Sequence, residues 1–276
     1  MSNAKLKLGD GLTLPLDALV GHRALIQGAS GSGKSMLLRL ICEQAAERVP
    51  ILLIDPESEF ATLRERHDFV IVGHGGELPA SPKNAAKLAR RLLELHTSAV
   101  IGLYELARDE RHRFVREFLG SLIAAPRNLW KPTIVPIDEA HQFCPEKGAG
   151  ESIATQAVID LMSLGRKRGL AGLLVTQRLS KLNKNAASEC GHVFIGRTSP
   201  IDQARAADLL GVPAAERHQF ADLAAGEWFA TGPGLNTARA VKFAAALPQT
   251  THPKTGQSVA PPAPSAKIKS VAGELN

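Results

Sequence analysis

The run Gly28 to Ser35, GASGSGKS, constrains this chain more than any other stretch. It follows the apolar residues Ala24, Leu25 and Ile26 and opens into the amphipathic stretch Lys34 to Val49. Strand, glycine loop and helix in that order require a β-α unit of a parallel sheet. The glycines let the backbone curl until several N–H groups converge on one anion. The helix start adds its unpaired N–H groups and the positive end of its dipole. The pattern is a Walker A phosphate loop. Gly28, Ala29, Ser30, Gly31, Ser32, Gly33, Lys34, Ser35 and Met36 are the expected cradle for a nucleoside triphosphate, ATP. Lys34 is placed to reach the β- and γ-phosphates, and the Ser35 hydroxyl to hold Mg2+.

The rest of the chain alternates in the way such a unit demands. Strands are expected at 24–27, 51–54, 69–72, 100–104, 133–137, 172–176 and 193–195, with helical patterns at 34–49, 82–96, 109–124, 153–165 and 201–210. Strands separated by helices of this length predict an α/β fold, a mostly parallel central sheet with helices on both faces. Residues 1–22 read as an N-terminal β-hairpin extension, with Leu6–Leu8 and Leu12–Leu14 flanking a turn at Gly9–Gly11. The core spans 23–247 and ends in two further strands, 227–231 and 240–243. From Pro248 to Asn276 the composition turns to Pro, Thr, Ser, Gln and Lys, which predicts a disordered tail.

Two acidic motifs fall at expected strand ends. In TIVPIDEAH (Thr133–His141) an apolar strand runs into Asp138 and Glu139. In a doubly wound sheet ligands bind at the carboxyl edge of the strands. Asp138 is placed to hold Mg2+, and Glu139 to polarise the water that attacks the γ-phosphate. Pro136 is awkward in a central strand, because it removes a ladder donor, so a local irregularity is expected there. In IDPESEF (Ile54–Phe60), Asp55, Glu57 and Glu59 gather three carboxylates. Asp55 and Glu59 are candidates for contact with the metal, the attacking water or a neighbouring subunit. Solvated surface acids at an Asp-Pro turn are the alternative.

The stretch GRKRGLAGLLVTQR (Gly165–Arg178) is basic, and no acid occurs between Asp160 and Glu189. Part of that charge has an ordinary reason, since cations favour a helix C-terminus. Gln177 leaves its strand at the same edge as Asp138, where a glutamine can sense the γ-phosphate or orient water. Overall the formal net charge is +6, which permits a nucleic-acid partner without requiring one. Cys42, Cys144 and Cys190 stand far apart with no CxxC pair, which argues against a zinc site or disulfide framework and fits a reducing cytosol. No apolar run reaches the roughly 18 residues of a membrane span, and the N-terminus has no signal-peptide core. A cytoplasmic protein with no membrane partner is therefore expected.

Taken in order, the phosphate loop, IDPESEF, PIDEAH, the RKRG stretch and the TQR strand end resemble the HerA–FtsK superfamily of ring-shaped DNA-pumping ATPases, and its HerA-like branch most closely. The resemblance spans about residues 12–231. Ser58 stands where the family usually has Gly, and Phe60 where it has Tyr. The N-terminal β-barrel of full-length HerA has no counterpart in the first twenty residues, so a nuclease or other effector docking through it is in doubt. The resemblance implies a RecA-like P-loop NTPase core, a homo-hexamer with ATP between subunits, and DNA in a central pore. It implies an arginine supplied from the adjacent subunit, for which Arg166 and Arg168 are candidates and Arg166 the favoured one. Pore candidates are 143–151, with Lys147, and 179–185, with Lys181 and Lys184. With one Tyr and two Trp, tracking of the phosphate backbone is a better expectation than base stacking.

Overall fold

The computed structural model describes residues 4–235, 239–253, 257 and 259–275. In chain order its main elements are β1 (Lys5–Gly9), β2 (Leu12–Pro15), α1 (Leu16–His22), β3 (Ala24–Gln27), α2 (Lys34–Ala46) and β4 (Leu52–Asp55). Next come β5 (Phe69–Val72), α3 (Ala85–Leu95), β6 (Ser98–Gly102), α4 (Arg108–Ile123), β7 (Thr133–Ile137), α5 (Thr155–Leu164) and β8 (Leu170–Thr176). The chain continues through α6 (Lys184–Ser188), β9 (His192–Ile195), α7 (Pro200–Leu210), β10 (Glu227–Thr231), β11 (Val241–Ala244) and α8 (Ala266–Leu275).

Nine strands form one sheet in the order β11-β10-β9-β3-β8-β7-β4-β6-β5. From β9 to β5 every pairing is parallel; β10 and β11 close one side antiparallel. The parallel strands are buried at each residue, as strands covered on both faces are, with polar residues confined to their ends. Successive side chains feed opposite layers. Leu25, Ile54 and Leu174 join the layer under α3, α4 and α5, while Ile26, Leu53 and Val175 join the layer under α2 and the β1–β2 hairpin. Gly172 marks the tightest approach of α5 to the sheet: a Cβ there would lie 2.3 Å from Met162 Sδ.

Pro136 causes the irregularity its position predicts, and the hydrogen bonds show where. Toward β4, Ile134 donates to the Pro50 carbonyl and Asp138 to the Ile54 carbonyl. The donor midway between them, at position 136, does not exist. Pairing of β7 with β4 is reduced to Ile51 with Ile134 and Ile54 with Ile137, while pairing with β8 runs unbroken from Thr133 to Ile137. The proline thus loses one bond on one side and leaves the strand end that carries Asp138 in register.

Three differences from the sequence expectation have physical reasons. β6 begins at Ser98 rather than 100, because Ser98 and Ala99 pair with Phe69 and Val70 and the Ser98 hydroxyl accepts from the Ile51 N–H. Residues 16–22, expected within the hairpin extension, form α1 and bury Leu16 and Leu19 against the core. The tail is not structureless where it is described. Gln249, Thr250 and Thr251 hydrogen-bond to the core, and α8 buries Ile268, Ala272 and Leu275 at helical spacing. Residues 1–3, 236–238, 254–256, 258 and 276 lie outside the described set.

Candidate nucleotide site

The phosphate loop sits between the carboxyl end of β3 and the start of α2. Its curl depends on glycine at defined places. Gly31 and Gly33 have φ of 72° and 99°, which β-carbons disfavour. A Cβ on Gly28 would lie 2.3 Å from Ser32 Oγ. The loop is braced from three sides. Gly28 donates to the Thr176 carbonyl, Ala29 to the Arg197 carbonyl at 2.7 Å, and Gly226 to the Ser32 carbonyl at 2.9 Å. Ser32 Oγ is buried without a partner, as expected of a hydroxyl shaped around an anion. Lys34 is 7 % exposed, and its Nζ bonds back to the Ala29 carbonyl at 3.3 Å. Burial lowers the Lys34 pKa, opposed by the charges of Glu139, Asp138 and Glu59. Ser35 and Met36, half-buried, follow in the first turn of α2.

Glu139 follows β7 with φ 45°, a left-handed conformation rare for a non-glycine residue and frequent at functional sites. Its N–H donates to Asp138 Oδ1 at 2.9 Å. Gln177 Nε2 donates to Glu139 Oε1. His141 Nδ1 lies 3.2 Å from Glu139 Oε2 and 3.1 Å from Thr176 Oγ1. Burial raises the Glu139 pKa, but the hydrogen bonds from His141 and Gln177 and the charges of His141 and Lys34 outweigh it and hold the carboxyl below its usual range. The base candidate is thus ionised and aimed. Asp138 shows the reverse: burial first, then the charges of Glu139 and Asp55, push its carboxyl well above the usual range.

Asp55 ends β4 beside Asp138. It is fully buried; its Oδ2 accepts from the Phe60 N–H at 2.8 Å, and its Oδ1 has no partner. Burial pushes it up to about 6. Glu59 lies near enough to act on the charge of both Lys34 and Asp138. Ser58, between them, has φ 59°, a conformation that glycine adopts at no steric cost. The surplus of buried carboxylate over the single lysine fits a divalent cation near Asp138. Among the described residues no group of three or more His, Cys, Asp or Glu side chains is arranged to hold a metal unaided. Mg2+ would keep waters and phosphate oxygens among its ligands. Ser35, Asp138, Asp55 and Glu59 are the residues that would face it.

The remaining candidates divide in two. Gly165 to Arg168 precede β8, so Arg166 and Arg168 lie at the amino edge of the sheet, roughly 23 Å of strand from Gln177 at about 3.3 Å per residue. Neither reaches the phosphate loop of its own chain. Arg166 is exposed, while the Arg168 guanidinium lies 5.9 Å from the Trp130 ring centroid. The two loops with Lys147, Lys181 and Lys184, by contrast, come together at the carboxyl edge. Pro145 bridges Leu182, Glu146 donates to the Lys181 carbonyl at 2.7 Å and Asn183 to the Cys144 carbonyl at 2.9 Å. All three lysines are exposed. A cavity of about 490 Å3 beside them is lined by Glu57, Arg111, His141, Gln142 and Lys181.

Sequence reasoning gave no role to His141, Arg197 or Trp228. His141 stood in the quoted acidic motif and Arg197 just beyond a buried strand, so both were in view. Trp228, fully buried against Gly33 and Gly196, had no local signal.

Comparison with known proteins agrees with this fold. Residues 5–139 match the family described as helicase HerA, central domain. No curated protein matches the chain. Among solved structures, VirB4 of Thermoanaerobacter pseudethanolicus has a TM-score of 0.66 at 12% identity, over 89% of this chain and 97% of that one. The bacterial conjugative coupling protein TrwBdeltaN70 has a TM-score of 0.64 at 13% identity, over 91% of each chain. The genome packaging NTPase B204 from Sulfolobus turreted icosahedral virus 2, solved with ATP-gammaS, has a TM-score of 0.56 at 16% identity, over 81% of this chain and 97% of that one. The chain thus has the RecA-like fold of the P-loop NTPases, with a phosphate loop on its third strand, and over residues 5–139 it is similar to the HerA central domain.

Proposed function

We propose that this protein is an ATP-driven DNA translocase, helicase-like in its family terms, that works as a homo-hexameric ring with ATP between subunits. The observation that carries the reading is the convergence at one sheet edge. Lys34 and Glu139 lie at the carboxyl ends of β3 and β7, and the lysine-bearing loops leave the same edge, joined by the Pro145–Leu182 bridge. His141, which touches Glu139, lines one cavity with Lys181. A change at the γ-phosphate position is therefore two contacts from a DNA-facing loop.

In this reading Lys34 and the loop N–H groups bind the triphosphate, and Ser35 and Asp138, with Asp55 and Glu59 behind them, hold Mg2+. The metal, when bound, neutralises charge on the phosphoryl oxygens. Glu139 takes the proton of the attacking water, and Gln177 and His141 fix the direction of its carboxylate. Arg166, remote from its own site, serves the neighbouring subunit, where a finger arginine is worth about 10³–10⁵ in rate in well-studied nucleotidases. A second reading, DNA pumping in conjugation or packaging, is favoured by the fold it shares with a conjugative coupling protein and a packaging NTPase.

Complementation tests the ring. Arg166→Ala and Glu139→Gln, each nearly inactive alone, regain turnover when mixed, because some interfaces then pair an intact Walker site with an intact arginine. Demonstrably mixed rings without regained activity, together with a fully active Arg166→Ala, would remove Arg166 from the account.

A further inference from the structure

Behind the nucleotide site lies a buried polar network that the catalytic scheme leaves unused. Its centre is Arg39, on α2, the helix that starts at Lys34. The Arg39 side chain is fully buried. Its Nη2 donates to the Glu59 carbonyl at 2.8 Å, and its Nη1 donates to Thr62 Oγ1 at 2.9 Å and Thr250 Oγ1 at 3.0 Å. The guanidinium carbon lies 5.1 Å from the Phe60 ring centroid.

Glu43, one turn further along α2 and 5 % exposed, supplies the opposite charge. Its Oε1 accepts from the Thr250 N–H at 2.8 Å and the Thr250 hydroxyl at 2.6 Å, and its Oε2 from the Gln249 N–H at 2.8 Å. The Thr62 hydroxyl donates to the Thr251 carbonyl at 2.6 Å. The C-terminal segment 249–251 therefore supplies partners to both buried charges, while Arg39 Nε stays unpartnered.

The network ends at the peptide of Glu59. On the amino side, that stretch of backbone is held by Asp55, which accepts from the Glu59 and Phe60 N–H groups. On the carbonyl side it is held by Arg39. Between these two anchors, Glu59 lines one cavity with Asp55, close enough to Lys34 and Asp138 for its charge to be felt there.

We propose that Arg39 is a positioning residue for Glu59, and that Thr250 of the C-terminal segment locks Arg39 in place, making that segment part of the ATPase site. The inference rests on the ATPase reading of the phosphate loop and on Glu59 facing the metal or the attacking water. Removing the Thr250 hydroxyl takes an acceptor from Arg39 and a donor from Glu43. The Arg39 guanidinium, whose Nε is already buried without a partner, then keeps only Thr62 on Nη1 and is held less firmly against the Glu59 carbonyl. Groups that orient the ligands of a site typically cost about 10–100-fold in activity when lost. ATP binding, which depends on Lys34 and the loop N–H groups, does not pass through this network.

The test is a double-mutant cycle in the full chain, read as basal ATP turnover without DNA per nucleotide-binding site. Thr250→Val is expected to lower kcat about 10–100-fold with ATP affinity within about twofold of wild type. Thr250→Ser, which keeps the hydroxyl, is expected to stay within about twofold of wild type. In a Glu59→Gln background, Thr250→Val is expected to add no further loss, since it acts through Glu59. Should Thr250→Val melt below the assay temperature, Thr250→Ala takes its place in the same cycle. Wild-type kcat in the valine variant, equal failure of the serine variant, or losses that multiply with Glu59→Gln would each overturn the inference and leave the ATPase reading intact. A wild-type chain with no basal turnover would remove the ATPase reading, and this inference with it.

Discussion

Replacing Glu139 by Gln removes one negative charge and little else. The residue keeps its length, and its carbonyl can still accept from Gln177. The left-handed backbone at φ 45° costs roughly 1–2 kcal/mol for any β-carbon residue, so glutamine inherits that strain without adding to it. The thermal midpoint is therefore expected to stay close to wild type. Turnover is not. General-base catalysis is worth about 10²–10⁴ in rate, or roughly 3–5 kcal/mol of barrier. Here the base is held ionised by His141 and Gln177, so its loss falls toward the upper end. Nucleotide affinity is expected to survive, because Lys34 and the loop N–H groups are untouched. The assay is steady-state phosphate release at saturating Mg2+–ATP, beside equilibrium titration of a fluorescent nucleotide. More than about a tenth of wild-type kcat in Glu139→Gln, with the same number of binding sites, would refute Glu139 as the base.

Three further outcomes follow from the same geometry. Lys34→Ala is expected to abolish tight ATP binding while the protein stays folded, since its ammonium is the phosphates' main point charge; calorimetric titration that still shows micromolar binding contradicts this. Charge removal at Lys147, or at Lys181 and Lys184 together, is expected to weaken DNA binding and flatten its salt dependence with basal ATPase spared; unchanged DNA affinity would place the DNA path elsewhere. Asp55 is pushed up to about 6 by burial, against roughly 3.9 for an unfolded aspartate. The nucleotide-free fold therefore holds that proton more tightly, and stability falls as pH rises from about 4 through 6. Asp55→Asn is expected to flatten that fall in thermal melts, and a profile parallel to wild type would sink the assignment.

What could be read from the sequence was local. The phosphate loop announces itself because its glycines, lysine and flanking strand and helix are contiguous. Thr133–Ile137 was legible as a strand despite Pro136, because the proline's missing donor affects only the β4 side. The sequence placed Gln177 at the same edge as Asp138, but its hydrogen bond to Glu139 became visible only in the fold. Short or masked signals failed. α1 offers too few turns for a periodic pattern, and the prolines of the tail hid the spacing of Ile268, Ala272 and Leu275. Thr250 could not be connected to Arg39 or Glu43 at all, since more than two hundred positions separate them and neither end carries a motif. The Trp228 packing beneath Gly33 is non-local in the same way.

The central claim, that ATP hydrolysis at Glu139 is coupled to DNA through the paired loops 143–151 and 179–185, is tested most directly by ATP turnover of the full chain with and without DNA at low salt. The account predicts that DNA raises kcat severalfold, that sequence matters little, and that stimulation fades steeply as salt rises. Turnover that is the same with and without DNA, in protein that binds ATP and hydrolyses it normally, would contradict the coupling.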